Sequence, residues 1–171
     1  MPTIGIPKES NSKETRVAAT PDSVRKLTSL KGVEVMIESG LGARLKVSDQ
    51  EYEKAGAAIC SRKKIFVSDF IFQISPMSLD RLSDYKKGGV YIGCLDPYNR
   101  RDLIQSCVSY SIDAVSMEMM PRTTRAQKMD ILSSQASIAG YAAVVVASEV
   151  SDKLFPMMMT PSGTISPARV F

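Results

Sequence analysis

Residues 69–74, Asp-Phe-Ile-Phe-Gln-Ile, form a nearly continuous apolar run bounded by polar residues and by Pro76. A strand without polar alternation must be covered on both faces, and a parallel sheet between helical layers provides that cover. The run has companions. Residues 3–7, 33–38, 57–60, 90–95 and 114–117 read as further short strands, separated by stretches with helical spacing. Strand and helix alternating over such lengths imply right-handed crossovers, so the expected architecture is α/β: a doubly wound, mainly parallel sheet flanked by helices.

Local punctuation agrees with this pattern. Thr20-Pro21-Asp22 supplies an N-cap, a proline at the first helical position and an early acid, and Gly32 stops the helix that follows. Ser48-Asp49-Gln50-Glu51 is a capping box. Residues 61–68, 78–85 and 99–109 read as short helices. Residues 129–150 read as one long helix, with Ala136, Ala139, Gly140, Ala143 and Ala147 near one face, where a neighbouring element can approach closely. Residues 155–160 read as extended. Gly40 and Gly42 in Ser-Gly-Leu-Gly-Ala-Arg-Leu resemble the opening of a dinucleotide fingerprint, but Leu45 stands where a third glycine is needed, so a plain turn is the expectation.

The formal net charge is +4 and the pI about 9.0. Positive residues are scattered among acids, without a sustained basic block or interleaved aromatics, which argues against nucleic-acid binding and for a local anion preference. Cys60, Cys94 and Cys107 are lone thiols with no Cys-x-x-Cys spacing, so neither a disulfide framework nor a zinc site is expected, and a reducing cytosol is the natural setting. The first residues lack a hydrophobic leader core. No run looks long enough, at ~18 apolar residues, for a membrane span.

Residues 121–140 carry the densest chemistry. Arg122 and Arg125 are followed by Gln127, Asp130 and paired serines, then by an alanine-rich helix. Guanidinium forks, amide donors and a carboxylate in one loop suit a ligand with both phosphate and a polar heterocycle. A solvated basic loop capping a helix is the plainer alternative.

The words Pro-Arg-x-x-Arg-Ala-Gln-x-Met-Asp-x-Leu-Ser-Ser-Gln-Ala-x-Ile-Ala-Gly-Tyr (121–141), Phe-Pro-Met-Met-Met-Thr (155–160), Ile-Gly-Ile-Pro-Lys-Glu (4–9) and Glu-Thr-Arg-Val-Ala-Ala-Thr-Pro (14–21) closely resemble the alpha subunit of the proton-translocating NAD(P) transhydrogenases, relatives of alanine dehydrogenase. The resemblance covers essentially the whole chain. It implies a Rossmann-like N-terminal subdomain at residues 1–127, a long connecting helix at 128–152 and the start of a truncated nucleotide-binding subdomain at 153–171. In that family a strand near Ala168 leads into a glycine-rich loop, and on that basis a chain ending at Phe171 is expected to be catalytically silent alone and to bind NADH poorly. Arg122, Gln127, Asp130 and Ser133 match residues that contact NAD(H) near its reactive ring: Gln127 and Ser133 for amide and ribose groups, Arg122 for carboxamide or pyrophosphate, Asp130 for the loop and its arginine. Capping of the helix is an equal alternative for Asp130 and Ser133.

The sequence contains no histidine, which excludes an imidazole proton shuttle. The alanine-dehydrogenase branch is expected to carry a lysine near Gln73 and a histidine near residues 94–96; here neither position offers a base. Transhydrogenation moves hydride directly between two nicotinamides and demands positioning above all. The resemblance therefore implies hydride exchange between NAD(H) on this component and NADP(H) on a partner domain. It also implies a homodimer, NADP-binding and membrane components as partners, no membrane span in this chain, and a cytoplasmic place peripheral to the inner membrane, or the matrix side if eukaryotic. An alanine-dehydrogenase-like oxidoreductase and a non-catalytic dimerisation module that retains the fold are the alternatives. Arg16, which in the dehydrogenase branch would take a substrate carboxylate, is read here as a structural salt bridge, and Met117, Met119, Met120 and Met157 to Met159 as adaptable core filling.

Overall fold

In a computed structural model, residues 1–169 are described. The chain divides into two compact units, Met1–Pro121 and Arg122–Phe171.

The first unit is built on a six-stranded parallel sheet of order β3-β2-β1-β4-β5-β6, from β1 (Thr3–Ile6), β2 (Glu34–Glu38), β3 (Ala58–Cys60), β4 (Phe70–Phe72), β5 (Val90–Gly93) and β6 (Asp113–Ser116). Two helical layers enclose it. Helix α1 (Pro21–Thr28) buries Val24, and α2 (Asp49–Lys54) buries Tyr52, against Ile4, Ile6, Val35 and Ile37. On the opposite face α3 (Arg62–Phe66) and α4 (Arg101–Ser109) bury Ile65, Phe66, Leu103 and Cys107 with Met36, Ile71 and Tyr91. The helical layer thus changes face between β1 and β4, which makes that gap the topological switch point of a doubly wound sheet. Sequence punctuation acts where it was expected. Thr20 caps α1 with Pro21 behind it, and Ser48 and Glu51 form the capping box of α2.

Residues 78–85 depart from the expected helix. They hold a 3₁₀ turn at Leu79–Asp84, because only Leu82 within that turn is buried and one apolar anchor does not sustain an α-helical face. Gly40 takes a left-handed φ of 76°, and residues 43–45 make a 3₁₀ turn, so the glycine pair is a turn and not a nucleotide loop.

The second unit contains α5 (Ile131–Val150) and a hairpin of β7 (Met158–Thr160) and β8 (Gly163–Ile165). No residue of α5 is buried, and Met157, Met158 and Met159 are exposed, so the expected core role of these methionines is not realised here. One expectation is corrected outright. By length and composition alone α5 is long and apolar enough to cross a membrane. Serines, alanines and Gly140 scattered among valines and isoleucines disguise it as mixed sequence. A helix apolar on every side needs cover, and a protein interior supplies that as well as lipid does.

Candidate functional site

Two groupings of polar residues stand out, one in each unit. In the second unit, Thr123 starts a turn in which its carbonyl accepts from the Ala126 and Gln127 amides at 3.0 and 2.9 Å. The chain continues through a 3₁₀ turn at Gln127–Met129 into α5, with Asp130 as N-cap. The Asp130 carboxylate accepts from the Ser133 amide at 3.0 Å and the Ser133 hydroxyl at 2.6 Å. These two bonds, with a smaller contribution from the Arg122 charge, hold its carboxyl below the ordinary aspartate value. Asp130 and Ser133 are therefore joined. Arg122 and Gln127 lie on the same segment with exposed side chains that take no part in the hydrogen bonds of the turn. The capping role is realised, and it leaves one amide and one guanidinium free to meet a ligand.

In the first unit the loops after β1 and β4 meet at the switch point. Glu9 accepts from the Ile74 and Ser75 amides at 2.7 and 2.9 Å, tying one loop to the other. Gln73, 5% exposed, donates through Nε2 to the Lys8 carbonyl at 3.4 Å and lies 3.3 Å from the Tyr91 hydroxyl, which also reaches the Ser75 carbonyl. Burial pushes the Tyr91 hydroxyl far above its ordinary value. Burial also raises the Cys94 thiol, with the Glu118 carboxylate adding to the effect. Gln73 is thus a buried brace, and no group here is poised as a base near neutral pH.

Arg16 grips Glu14 through Nε at 2.8 Å and Nη2 at 2.7 Å, so it is held by a salt bridge. Beside it lies a cleft of about 250 Å³ that sequence reasoning did not find. It opens beyond the carboxyl ends of β1, β2 and β3. Its walls come from residues up to 54 positions apart, such as Lys8 and Arg62, and only the basic residues following three strand ends could have signalled it. Among the described residues no group of three or more His, Cys, Asp or Glu side chains is placed to hold a metal.

Residues 5–139 match the family model for the alanine dehydrogenase/PNT N-terminal domain. The chain belongs to the alanine dehydrogenase/PNT N-terminal domain family. Within it, the first of the separately encoded pieces of NAD(P) transhydrogenase subunit alpha from Rhodospirillum rubrum is 40% identical over 174 residues, covering 98% of this chain and 45% of that relative. NAD(P) transhydrogenase subunit alpha of Haemophilus influenzae is 33% identical over 98% of this chain and 32% of its own length. The crystal structure of transhydrogenase from Sinorhizobium meliloti superposes with a TM-score of 0.89 at 43% identity, covering 97% of this chain and 50% of that one. The chain thus spans about half, or less, of the length of these relatives. The alanine dehydrogenase/PNT match ends at residue 139, inside α5, so the segment from Arg122 to Ser133 falls within it and the β7–β8 hairpin lies outside it.

Proposed function

We propose that this chain is the N-terminal portion of the NAD(H)-binding component of a proton-translocating NAD(P) transhydrogenase, and that Arg122, Gln127, Asp130 and Ser133 are its share of the nucleotide site. The observation that carries the reading is the alignment of 98% of the chain, at 40% identity, with a transhydrogenase alpha subunit. The free donors of the 122–133 segment support it. A bound NAD(H) would supply the hydride, and exchange would run with NADP(H) on a partner domain.

In this reading each residue has a task set by its surroundings. Asp130 and Ser133 fix the start of α5 through their mutual bonds, so the turn before it enters at a defined angle. Gln127 offers amide donor and acceptor groups for a carboxamide or ribose hydroxyl. Arg122 offers a planar fork for phosphate or carboxamide oxygens, and its charge restrains the Asp130 carboxylate. None of them moves a proton. Positioning is the whole of the protein's contribution, as direct hydride exchange requires. The switch-point geometry weighs against an alanine-dehydrogenase reaction, since Gln73 is buried and bonded and no histidine exists in the sequence.

The exposed apolar surface of α5 and the β7–β8 hairpin supports a homodimer, and the family relation supports NADP-binding and membrane components as further partners, with this component on the cytoplasmic side. Calorimetric titration of NADH tests the nucleotide reading. The remainder of the site is taken to lie outside residues 1–171, so binding to this chain alone is expected to be weak, and tight binding would contradict that division. Transhydrogenase activity in a complex assembled with this chain would support the reading. A stable dimer that never gains activity would favour a non-catalytic module.

A further inference from the structure

The cleft beyond β1, β2 and β3 is unevenly charged. Lys8, Arg16, Arg44 and Arg62 line it against only Glu9 and Glu14, and both carboxylates are already engaged. Glu14 is gripped by Arg16, and Glu9 is turned onto the Ile74 and Ser75 amides. Lys8 and Arg62 share a single carboxylate, Glu38, at 3.9 and 2.9 Å. Arg44 has no carboxylate bound to it; its Nη1 donates to the carbonyls of Asn11, at 3.1 Å, and of Glu14. That strap holds the guanidinium at the cleft and leaves its other N–H groups for a ligand.

We infer that this cleft binds a small phosphate-like dianion, held by Arg44 together with Lys8 and Arg62. The three cations come from three separate elements: the loop after β1, the turn after β2 and the first residue of α3. Donors converging from several directions match tetrahedral oxygens better than a planar monocarboxylate, and guanidinium groups bind such oxygens in pairs. Loops at strand carboxyl ends beside a switch point are where doubly wound sheets place ligands. Size limits the ligand: at about 250 Å³ the cleft falls below the ~300–1,000 Å³ of sites that enclose larger molecules, so a dinucleotide is excluded. The inference is independent of the nucleotide reading, because the site lies wholly in the first unit and uses none of residues 122–133.

Titration of the 171-residue chain with inorganic phosphate, at ionic strength held constant with chloride and followed by amide NMR, tests it. Saturable shifts at Thr15, Gly40 and Ala43, with a dissociation constant in the millimolar range or tighter, are expected. Arg44→Gln and, separately, Arg62→Gln should each weaken binding by roughly tenfold, the effect of losing one charge-assisted contact; two variants are used because Arg44 also straps the loop, and the amide spectrum of each reports whether it is folded. A parallel titration with glycerol 3-phosphate distinguishes sources: tighter binding of the monoester points to a small phosphorylated metabolite, and equal or weaker binding to free phosphate. Shifts that stay linear with concentration, shifts centred outside the cleft, or unchanged affinity in both folded variants would overturn the assignment.

Discussion

Replacing Gly5 by alanine measures how closely α3 lies on the central strand. Gly5 sits in β1 between Met36 of β2 and Ile71 of β4. A Cβ built there would meet the Ser68 hydroxyl oxygen at 2.6 Å, the Ile65 carbonyl oxygen at 2.7 Å and Ile65 Cγ2 at 2.8 Å. Ordinary contact begins at 3.4 Å, so the shortfalls run from 3.4 − 2.8 = 0.6 Å to 3.4 − 2.6 = 0.8 Å. None of the three atoms can swing away cheaply, since Ser68 and Ile65 are both buried and one atom is main chain. Overpacking of this kind costs about 1–3 kcal/mol. Against it stands the gain from a less flexible unfolded chain, about 0.5–1 kcal/mol. The clash wins, with a net loss of about 1–2 kcal/mol and a fall in melting temperature of roughly 3–8 °C for a domain of this size. Gly140→Ala is the control. Nothing lies within 4 Å of its Cβ position, so α5 should gain about 1 kcal/mol of helix propensity. Urea unfolding followed by tyrosine fluorescence reads the first unit through buried Tyr52, Tyr85 and Tyr91, and circular dichroism reads α5. A Gly5→Ala protein with an unchanged or higher midpoint would refute the close approach of α3 to β1.

Tyr52→Phe should cost about 1–3 kcal/mol, because the Tyr52 hydroxyl donates to the buried Ala19 carbonyl at 2.9 Å and its loss leaves that oxygen unpaired; chemical denaturation checks it. The hydrogen bonds and charge of Arg16 hold the Glu14 carboxyl below its ordinary value, so this pair contributes stability that is complete above the unfolded-state pKa and is lost as pH falls through the lower folded one. Melting curves should accordingly show the Glu14→Gln variant less acid-sensitive than the parent below about pH 4.5. Ile138 and Tyr141 expose 61% and 75% of their surface on α5, so the parent should sediment as an associated species, and the Ile138→Glu, Tyr141→Glu double variant should shift it toward monomer.

Much of the sheet was legible because buried parallel strands advertise themselves. The run at residues 69–74 became β4 at the centre of the sheet, trimmed to Phe70–Phe72 because Gln73 and Ile74 already bond across to the β1 loop. Caps at Thr20 and Ser48 are local chemistry, readable from a few adjacent residues. The exposure of α5 was not readable, since an apolar helix declares that it needs cover without saying what covers it. Nor was the cleft: its Arg44 strap spans 33 residues to Asn11, and sequence spacing carries no sign of that closure. In the 122–133 segment the bond between Asp130 and Ser133 follows from N-cap spacing, whereas the freedom of Gln127 emerges only from the turn around it.

The central claim is that residues 122–133 hold a redox nucleotide by placement alone. Gln127→Ala tests it most cleanly, because this side chain takes no part in the bonds that shape its own turn, so the variant should fold as the parent does. Steady-state transhydrogenation in a complex carrying this chain should fall by roughly tenfold or more, the loss expected when a positioning contact at a hydride-transfer site is removed. A complex that turns over at the parental rate without the Gln127 side chain would contradict the account.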